Sequence, residues 1–443
     1  MLKKIILDKK TTLLRLLMVV ILSMVTGLFA LQVGAQSDDI TITVDAEIAL
    51  NDINPYVMSV NHSPDGTSLD VVDEVNALEL NFVRFPHGNW GDLNDLTDFH
   101  IDLYMAQIRN WGATPSINVR FLNSTPEAAA NTVRYTNIEN DYDVRYWYIG
   151  NEPTLYDDYT VERYNEEWRE FALAMLEVDP DIILIGPELH QFPDTTDTSN
   201  HNYEYKDVWL REFLIANGDL IDIVAVHRYP FPSSVGGPAT TLQQMRENVP
   251  NWAVLVQNMR EIIDETIGED MPIGITEVNS HYSNSGGGIA TPDSYYNAIW
   301  YSGVLTTLIH EEVDIVSYFQ LYSVGGNGQF GLLDRYDPRP TYYSYLLFGE
   351  LGNTRLQSAS SDEYVTAIAT RDEAGRHTMI VTNLYDESDI SVTLALNGFD
   401  DLSVSDIRLL SPELEAESVA VDDYLVDGTL SMPAQSVMLL VFE

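Results

Sequence analysis

Tyr146-Trp147-Tyr148-Ile149-Gly150-Asn151-Glu152-Pro153 reads as a short apolar strand that ends abruptly in polar residues. Aromatic and β-branched side chains favour the extended chain, and polar and turn residues bound the run after Gly150. Working outward, the same pattern recurs. Between Asn54 and Leu351 short β-rich runs alternate with amphipathic helical stretches, as βα units around a parallel sheet require. The strands fall at Tyr56–Asn61, Phe82–Pro86, Pro115–Arg120, Tyr146–Gly150, Ile182–Pro187, Ile223–His227, Ile273–Glu277 and Ile315–Leu321. Helical candidates such as 160–178, 241–267 and 292–311 have the length of crossover connections rather than hairpins. Eight such units close a (β/α)8 barrel.

From Glu363 the period changes to two, in 364–368, 377–384, 390–396, 404–410 and 436–442, with Asp372-Glu373-Ala374-Gly375 as a hairpin turn. This predicts an accessory antiparallel β-sandwich. Ile40-Thr41-Ile42-Thr43-Val44 alternates in the same way and is expected to pair with it. The reading divides the chain into an export segment at 1–35, a joining strand at 36–50, the barrel at 51–351 and the sandwich at 352–443. In the first of these, Lys3, Lys4, Lys9, Lys10 and Arg15 precede an uncharged run from Leu16 to Leu31, and Val33-Gly34-Ala35 offers small residues for cleavage after Ala35. A secreted or extracytoplasmic protein is expected, with an uncleaved anchor as the alternative.

The formal charge is −45. Losing the leader would remove five basic residues and Asp8, leaving 18 basic against 67 acidic. Nucleic acid is a poor partner for such a surface, and the same field favours neutral sugars over polyanions. There is no cysteine, hence no disulfide or thiolate site. The histidines show no tight metal-ligand spacing, and Gly286-Gly287-Gly288 lacks the Lys-Ser/Thr of a phosphate cradle. Neither metal nor cofactor is expected. Asn123-Ser124-Thr125 fits the glycosylation acceptor pattern, one that arises often by chance. The sequence leaves the oligomeric state open.

A barrel of this type builds its site where strands end. Glu152 closes the fourth strand and Glu277 the seventh, in Pro272-Ile273-Gly274-Ile275-Thr276-Glu277-Val278-Asn279. Strand ends four and seven face each other across one cleft. Glycoside hydrolysis needs one carboxyl that protonates the leaving oxygen and one that attacks or activates water. Glu188 and His190, after strand five, compete for the acid/base role, and His62, Asn118 and Arg120 are further pocket candidates.

At these residues the chain resembles the clan A retaining glycoside hydrolases, whose acid/base follows strand four in Asn-Glu-Pro and whose nucleophile ends strand seven. The resemblance spans the barrel. It implies Glu152 as acid/base, Glu277 as nucleophile, Asn151 as a partner of the sugar 2-hydroxyl, Arg84 as the cation beside the nucleophile, and Tyr229 as a donor to it with His227 alongside. Arg84-Phe85-Pro86-His87-Gly88-Asn89-Trp90 is similar to the Arg-Tyr-Pro-Gly-Gly-Asn stretch of arabinofuranosidase-type members, with His87 in place of a glycine, and so implies Asn89 and Trp90 in the glycone subsite. On strand eight, where the clan usually offers tryptophan, this chain has Tyr318-Phe319-Gln320-Leu321-Tyr322, and Phe319 or Tyr322 would serve as the floor. The resemblance implies a plant- or marine-type polysaccharide or oligosaccharide as carbohydrate substrate and leaves arabinofuranosidase, xylosidase, endoglucanase and mannanase types open. A barrel that binds carbohydrate without turnover and one acting on phosphorylated metabolites are the rival readings.

Overall fold

A computed structural model describes residues 40–195, 201–231, 239–268, 270–283, 288–325, 328–400 and 402–443. The export segment read at 1–35 lies outside the described residues, as do Gly286 and Gly287. In chain order come β1 (Ile40–Asp52), β2 (Ser59–Asn61), β3 (Phe82–Phe85), β4 (Thr114–Val119), β5 (Tyr146–Ile149), β6 (Ile183–Leu189), β7 (Ile223–Arg228), β8 (Ile273–Val278) and β9 (Ile315–Tyr318). Strands β2 to β9 pair in parallel in that order, and β9 returns to β2, so the barrel is closed.

Both faces of these strands are buried, which explains why their sequences run apolar rather than alternating. Phe82, Tyr148, Ile185, Ile223, Ala225 and Ile315 form one cluster among the strands. Their neighbours, Val83, Trp147, Leu184, Val224 and Val316, belong to a larger core that includes the helices. The crossover helix Val161–Val178 begins where Thr160 accepts the Arg163 N–H, and it lays Tyr164, Trp168, Phe171, Ala172 and Met175 on the core.

Two barrel-strand boundaries differ from the sequence reading by three residues, the others by no more than two. The first strand begins at Ser59 rather than Tyr56, because Asn54 caps a 3-10 turn, its side chain accepting the Tyr56 N–H at 3.0 Å with Pro55 in the first position. The last strand ends at Tyr318, after which Leu321 N–H donates to the Asn61 carbonyl at 2.9 Å.

The accessory part is one sheet of ten strands that adds β10 (Thr354–Ser360), β11 (Val365–Arg371), β12 (His377–Asn383), β13 (Ile390–Asn397), β14 (Val404–Ser411), β15 (Leu414–Val419), β16 (Leu425–Val426), β17 (Thr429–Met432) and β18 (Ser436–Phe442) to β1. Their order is β15-β14-β18-β12-β11-β10-β1-β13-β17-β16. The N-terminal strand pairs antiparallel with β10, Ile42 opposite Ser360. Between barrel and sheet lies the helix Tyr295–His310, buried on nearly every side and packed on β11, β12 and β18. Its Tyr295 and Tyr296 hydroxyls donate to the carbonyls of Gln435 and Leu384, at 2.8 and 2.5 Å. A helix apolar all round needs such double cover. Among the described residues no helix is long and apolar enough to cross a membrane.

Three barrel pairings slip in register near the strand ends. Glu188 is the extra residue of β6 against β7, Thr276 that of β8 against β7, and the β8–β9 pairing shifts between Ile275 and Val278. Bulges of this kind re-aim side chains at barrel rims, and here they deliver the polar residues of the cleft.

Candidate active site

Glu277 leaves the end of β8 with 3% of its surface exposed. Its Oε1 accepts from Arg84 Nη1 at 2.8 Å and from the Gly88 N–H at 3.1 Å, and its Oε2 accepts from the Tyr229 hydroxyl at 2.6 Å. Three donors converging on one carboxylate fix its orientation. Tyr229 keeps its proton for this bond, because burial and the charges of Glu277 and Glu152 raise its pKa well above the usual phenol range.

Glu152 stands opposite. Gly150, with φ +79°, ends β5 where a Cβ would lie 2.8 Å from Phe121 Cβ, so the position requires glycine. Glu152 itself is left-handed, at φ 50° and ψ 54°, and its N–H donates to the Glu188 carbonyl at 3.1 Å. A non-glycine residue held there stores about 1–3 kcal/mol of backbone strain, a feature that clusters at active sites. Its Oε1 is 3.1 Å from His227 Nδ1. One oxygen of Glu152 and one of Glu277 lie within 4.8 Å of each other, with His227 Nδ1 between them.

Beneath the pair the groups are fully buried. Arg84 donates through Nη1 to Asn61 Oδ1 at 2.9 Å as well as to Glu277, and through Nη2 to Asn151 Oδ1 at 2.9 Å and Glu188 Oε2 at 2.7 Å. Burial opposes its charge, but Glu188 and Glu277 outweigh that and raise its pKa. His227 is likewise opposed by burial and yet raised to about 10 by Glu277 and Glu188. Asn151 receives support from below: its N–H donates to Asp92 Oδ2 at 2.7 Å, and Tyr156 donates to the same oxygen. Its Nδ2 donates to Asn89 Oδ1 at 3.1 Å, which orients the Asn151 amide.

Replacing Arg84 by methionine leaves Glu188 and Glu277 buried without their shared cation. The expected cost is about 3–5 kcal/mol of unfolding free energy, read by urea denaturation at neutral pH.

The carboxylates open into a cavity of about 410 Å³ lined by Gly88, Asn89, Glu152, Leu155, His190, Gln191, Tyr229, Glu277, Tyr282, Phe319 and Phe330. Of the positions read from sequence, Glu152, Glu277, Tyr229, Asn89 and Phe319 face it, and Arg84, Asn151 and His227 form the layer behind. Trp90 and Tyr322 do not line it. Trp90 starts a short helix and packs edge-on against His100, 5.3 Å between centroids, while Tyr322 bridges to Leu333. His62 turns to the outer side of the barrel, edge-on to Trp111 and bonded to Gln107 at 3.0 Å, where burial lowers its pKa to about 4. Arg120 pairs with Asp95 at 2.7 Å, and Asn118 is buried beside Gly91.

Glu188 is ruled out as a competing acid by its zero exposure, whereas His190 does face the cavity, its Nδ1 2.5 Å from Thr154 Oγ1. His87, in place of the glycine, packs edge-on to Phe319 at 4.9 Å, and burial lowers its pKa to about 4. Sequence reasoning missed Leu155, Gln191, Tyr282 and Phe330. Gln191 alone had a signal, two residues past the end of β6; Leu155 ends a short 3-10 turn, and Tyr282 and Phe330 sit on loops of no recognisable pattern.

The folded chain is similar to solved structures of glycosidases. The α-L-arabinofuranosidase of Thermotoga maritima, in complex with arabinose, aligns with TM-score 0.71 at 16% identity over 91% of this chain and 99% of that one. The family 51 α-L-arabinofuranosidase of Bifidobacterium longum gives 0.72 and 16% over the same shares. A family 44 xyloglucanase of Paenibacillus polymyxa gives 0.69 and 13%, again over 91% and 99%. At these identities the likeness establishes the fold. No curated protein matches in sequence. The model of "Glycosyl hydrolases family 39" matches residues 145–408, from β5 with its Asn151-Glu152 through Glu277 and into the accessory sheet. With that match covering more than half of its length, the chain belongs to glycosyl hydrolase family 39 of clan A and is a glycosidase acting on O-glycosyl bonds.

Proposed function

We propose that this glycosidase works with retention of configuration, by double displacement, on a neutral plant- or marine-type poly- or oligosaccharide. The observation that carries the reading is the pair of carboxylate oxygens within 4.8 Å. Retaining enzymes hold the two carboxyl groups ~5–5.5 Å apart, whereas inverting ones need ~6.5–9.5 Å to admit a water.

Glu277 attacks the anomeric carbon while Glu152 protonates the departing oxygen, giving a glycosyl ester on Glu277 and a free aglycone. Water, deprotonated by Glu152, then displaces Glu277, and both residues return to their starting states. Tyr229, Arg84 and the Gly88 N–H aim the nucleophile and hold it against the entropy of free rotation. Phe319, Phe330 and Tyr282 give the cavity apolar walls suited to the C–H faces of sugars, with Asn89, His190 and Gln191 as polar contacts.

The test is hydrolysis of a panel of neutral aryl glycosides and polysaccharides, with the first-formed product followed by proton NMR. The reading expects the anomeric configuration of the substrate in that product. Inversion contradicts it, and a broad panel with no turnover favours a carbohydrate-binding barrel.

The leader read at residues 1–35 supports export with cleavage after Ala35. Sequencing the N-terminus of the secreted protein is expected to begin at Gln36, and a retained leader would mean an anchor instead.

A further inference from the structure

Under the catalytic pair lies a third carboxylate that the hydrolytic scheme does not use. Glu188 is the bulged residue of β6, left-handed at φ 60°, with no surface exposed. Its Oε1 accepts from Thr276 Oγ1, the bulged residue of β8, at 2.7 Å. Its Oε2 lies 2.7 Å from Arg84 Nη2 and 2.9 Å from His227 Nε2. Its main-chain carbonyl accepts the Glu152 N–H. One continuous path therefore runs from Glu277 through Arg84, Glu188 and His227 to Glu152. A buried carboxylate costs several kcal/mol unless fully paired, and this one is placed so that each catalytic glutamate is one side chain away.

We propose that Glu188 is a positioning residue for hydrolysis: by accepting from both Arg84 and His227 on one oxygen, it keeps both His227 nitrogens as N–H donors and divides Arg84 between two carboxylates. The inference rests on the reading of Glu152 and Glu277 as acid/base and nucleophile.

The charge count shows what this achieves. Arg84 and a protonated His227 balance Glu188 and Glu277, so the buried group is neutral when Glu152 carries its proton. That proton is then the one exchanged in turnover. Because His227 Nδ1 already bears a hydrogen, it donates to Glu152 Oε1 and leaves the proton of Glu152 on the other oxygen, free for the departing group. A neutral His227 would instead accept that proton and turn it inward.

The charged and titratable groups around Glu188 agree in sign. Arg84 on β3 and His227 on β7 outweigh burial and lower its pKa, while Tyr148 on β5 and Tyr164 on the helix Val161–Val178 stay protonated, their pKa raised by burial and by Glu188. His227 faces Glu152 and Glu277 on its other nitrogen.

Two measurements test the proposal. In the wild-type enzyme with ¹⁵N-labelled histidine, His227 is expected to show two protonated ring nitrogens at pH 7, assigned by loss of the signal in His227→Asn. A nitrogen without a proton in that spectrum overturns the inference, and this readout does not depend on turnover. In Glu188→Gln, removal of the buried anion is expected to move the alkaline limb of kcat/KM to lower pH by about one unit and to lower kcat about tenfold, with KM within about threefold. Glu188→Asp, which keeps the charge, is expected to restore most of the alkaline limb. A Glu188→Gln enzyme whose limb stays in place, with only its melting temperature reduced, shows a structural tie alone. Should Glu188→Gln fail to fold, the wild-type spectrum still decides. If wild type turns over no glycoside while His227 is doubly protonated, it is the hydrolytic reading that fails and not the charge arrangement.

Discussion

Glu277→Ala is expected to lower kcat on the order of 10⁵-fold, since among the described residues that line the cavity the other carboxylate is Glu152, the acid/base of the proposed scheme. Glu188, the carboxylate buried beneath the pair, is tied to Arg84, His227 and Thr276 and has no exposed surface. The substitution leaves a space bordered by Arg84, the Gly88 N–H and the Tyr229 hydroxyl, all donors that had converged on Glu277. A small anion fits that space by charge and size. Azide is therefore expected to restore turnover of an aryl glycoside and to yield a glycosyl azide of inverted configuration, because it attacks from the face Glu277 occupied while Glu152 still serves the leaving group. A retained azide product, or rescue of Glu152→Ala alone, would exchange the two roles.

Glu152→Ala is expected to separate substrates by their leaving groups. Sugars and alcohols depart only when protonated, so kcat/KM for natural oligosaccharides should fall by about 10²–10⁴-fold. Nitrophenolate departs unaided. With it the first step survives, the second lacks its base, and the glycosyl enzyme accumulates, seen as a burst of phenolate followed by slow turnover and a lowered KM. Azide is expected to speed that second step and to give a product of retained configuration. Since Glu152 is held left-handed at φ 50°, the variant also needs a thermal unfolding control, and a melting temperature close to wild type is expected.

The barrel was legible because parallel strands covered on both sides must be apolar on both faces, and all eight runs stood out between helical stretches. Glu152 and Glu277 were legible for a related reason: a barrel builds its site from polar residues at the C-terminal ends of such runs, although Glu188, in the same relation to its own strand, is turned beneath the pair. Arg84, Tyr229 and His227, read from family resemblance, converge on the pair in space.

What escaped the reading had no local pattern. β15 is an edge strand with alternate residues exposed and two glutamates among its six residues, so its alternation carries little apolar signal. The hairpin of β16 and β17 is too short for a period, yet Asp427-Gly428, both at positive φ, is a turn dipeptide that could have announced it. Trp90 was placed in the pocket by analogy with a motif, and the helix it begins carries it to the side of His100 instead. Glu188 drew notice only as a rival acid, since no sequence pattern reveals that a bulge turns a carboxylate under two others. The cavity walls at Leu155, Tyr282 and Phe330 come from a single 3-10 turn and from loops, whose course depends on tertiary packing rather than on periodicity.

Double displacement requires a covalent bond between the sugar and Glu277. The direct measurement is to treat the wild-type enzyme with a 2-deoxy-2-fluoro glycoside of the sugar that responds in the panel, bearing a dinitrophenyl leaving group, and to follow the intact protein by mass spectrometry. The predicted result is a gain of one fluoroglycosyl unit per chain, located after digestion on the peptide that contains Glu277 and absent from Glu277→Gln. A protein that turns over its substrate but never gains the mass, or that carries it at Glu152 or Glu188, would contradict the mechanism.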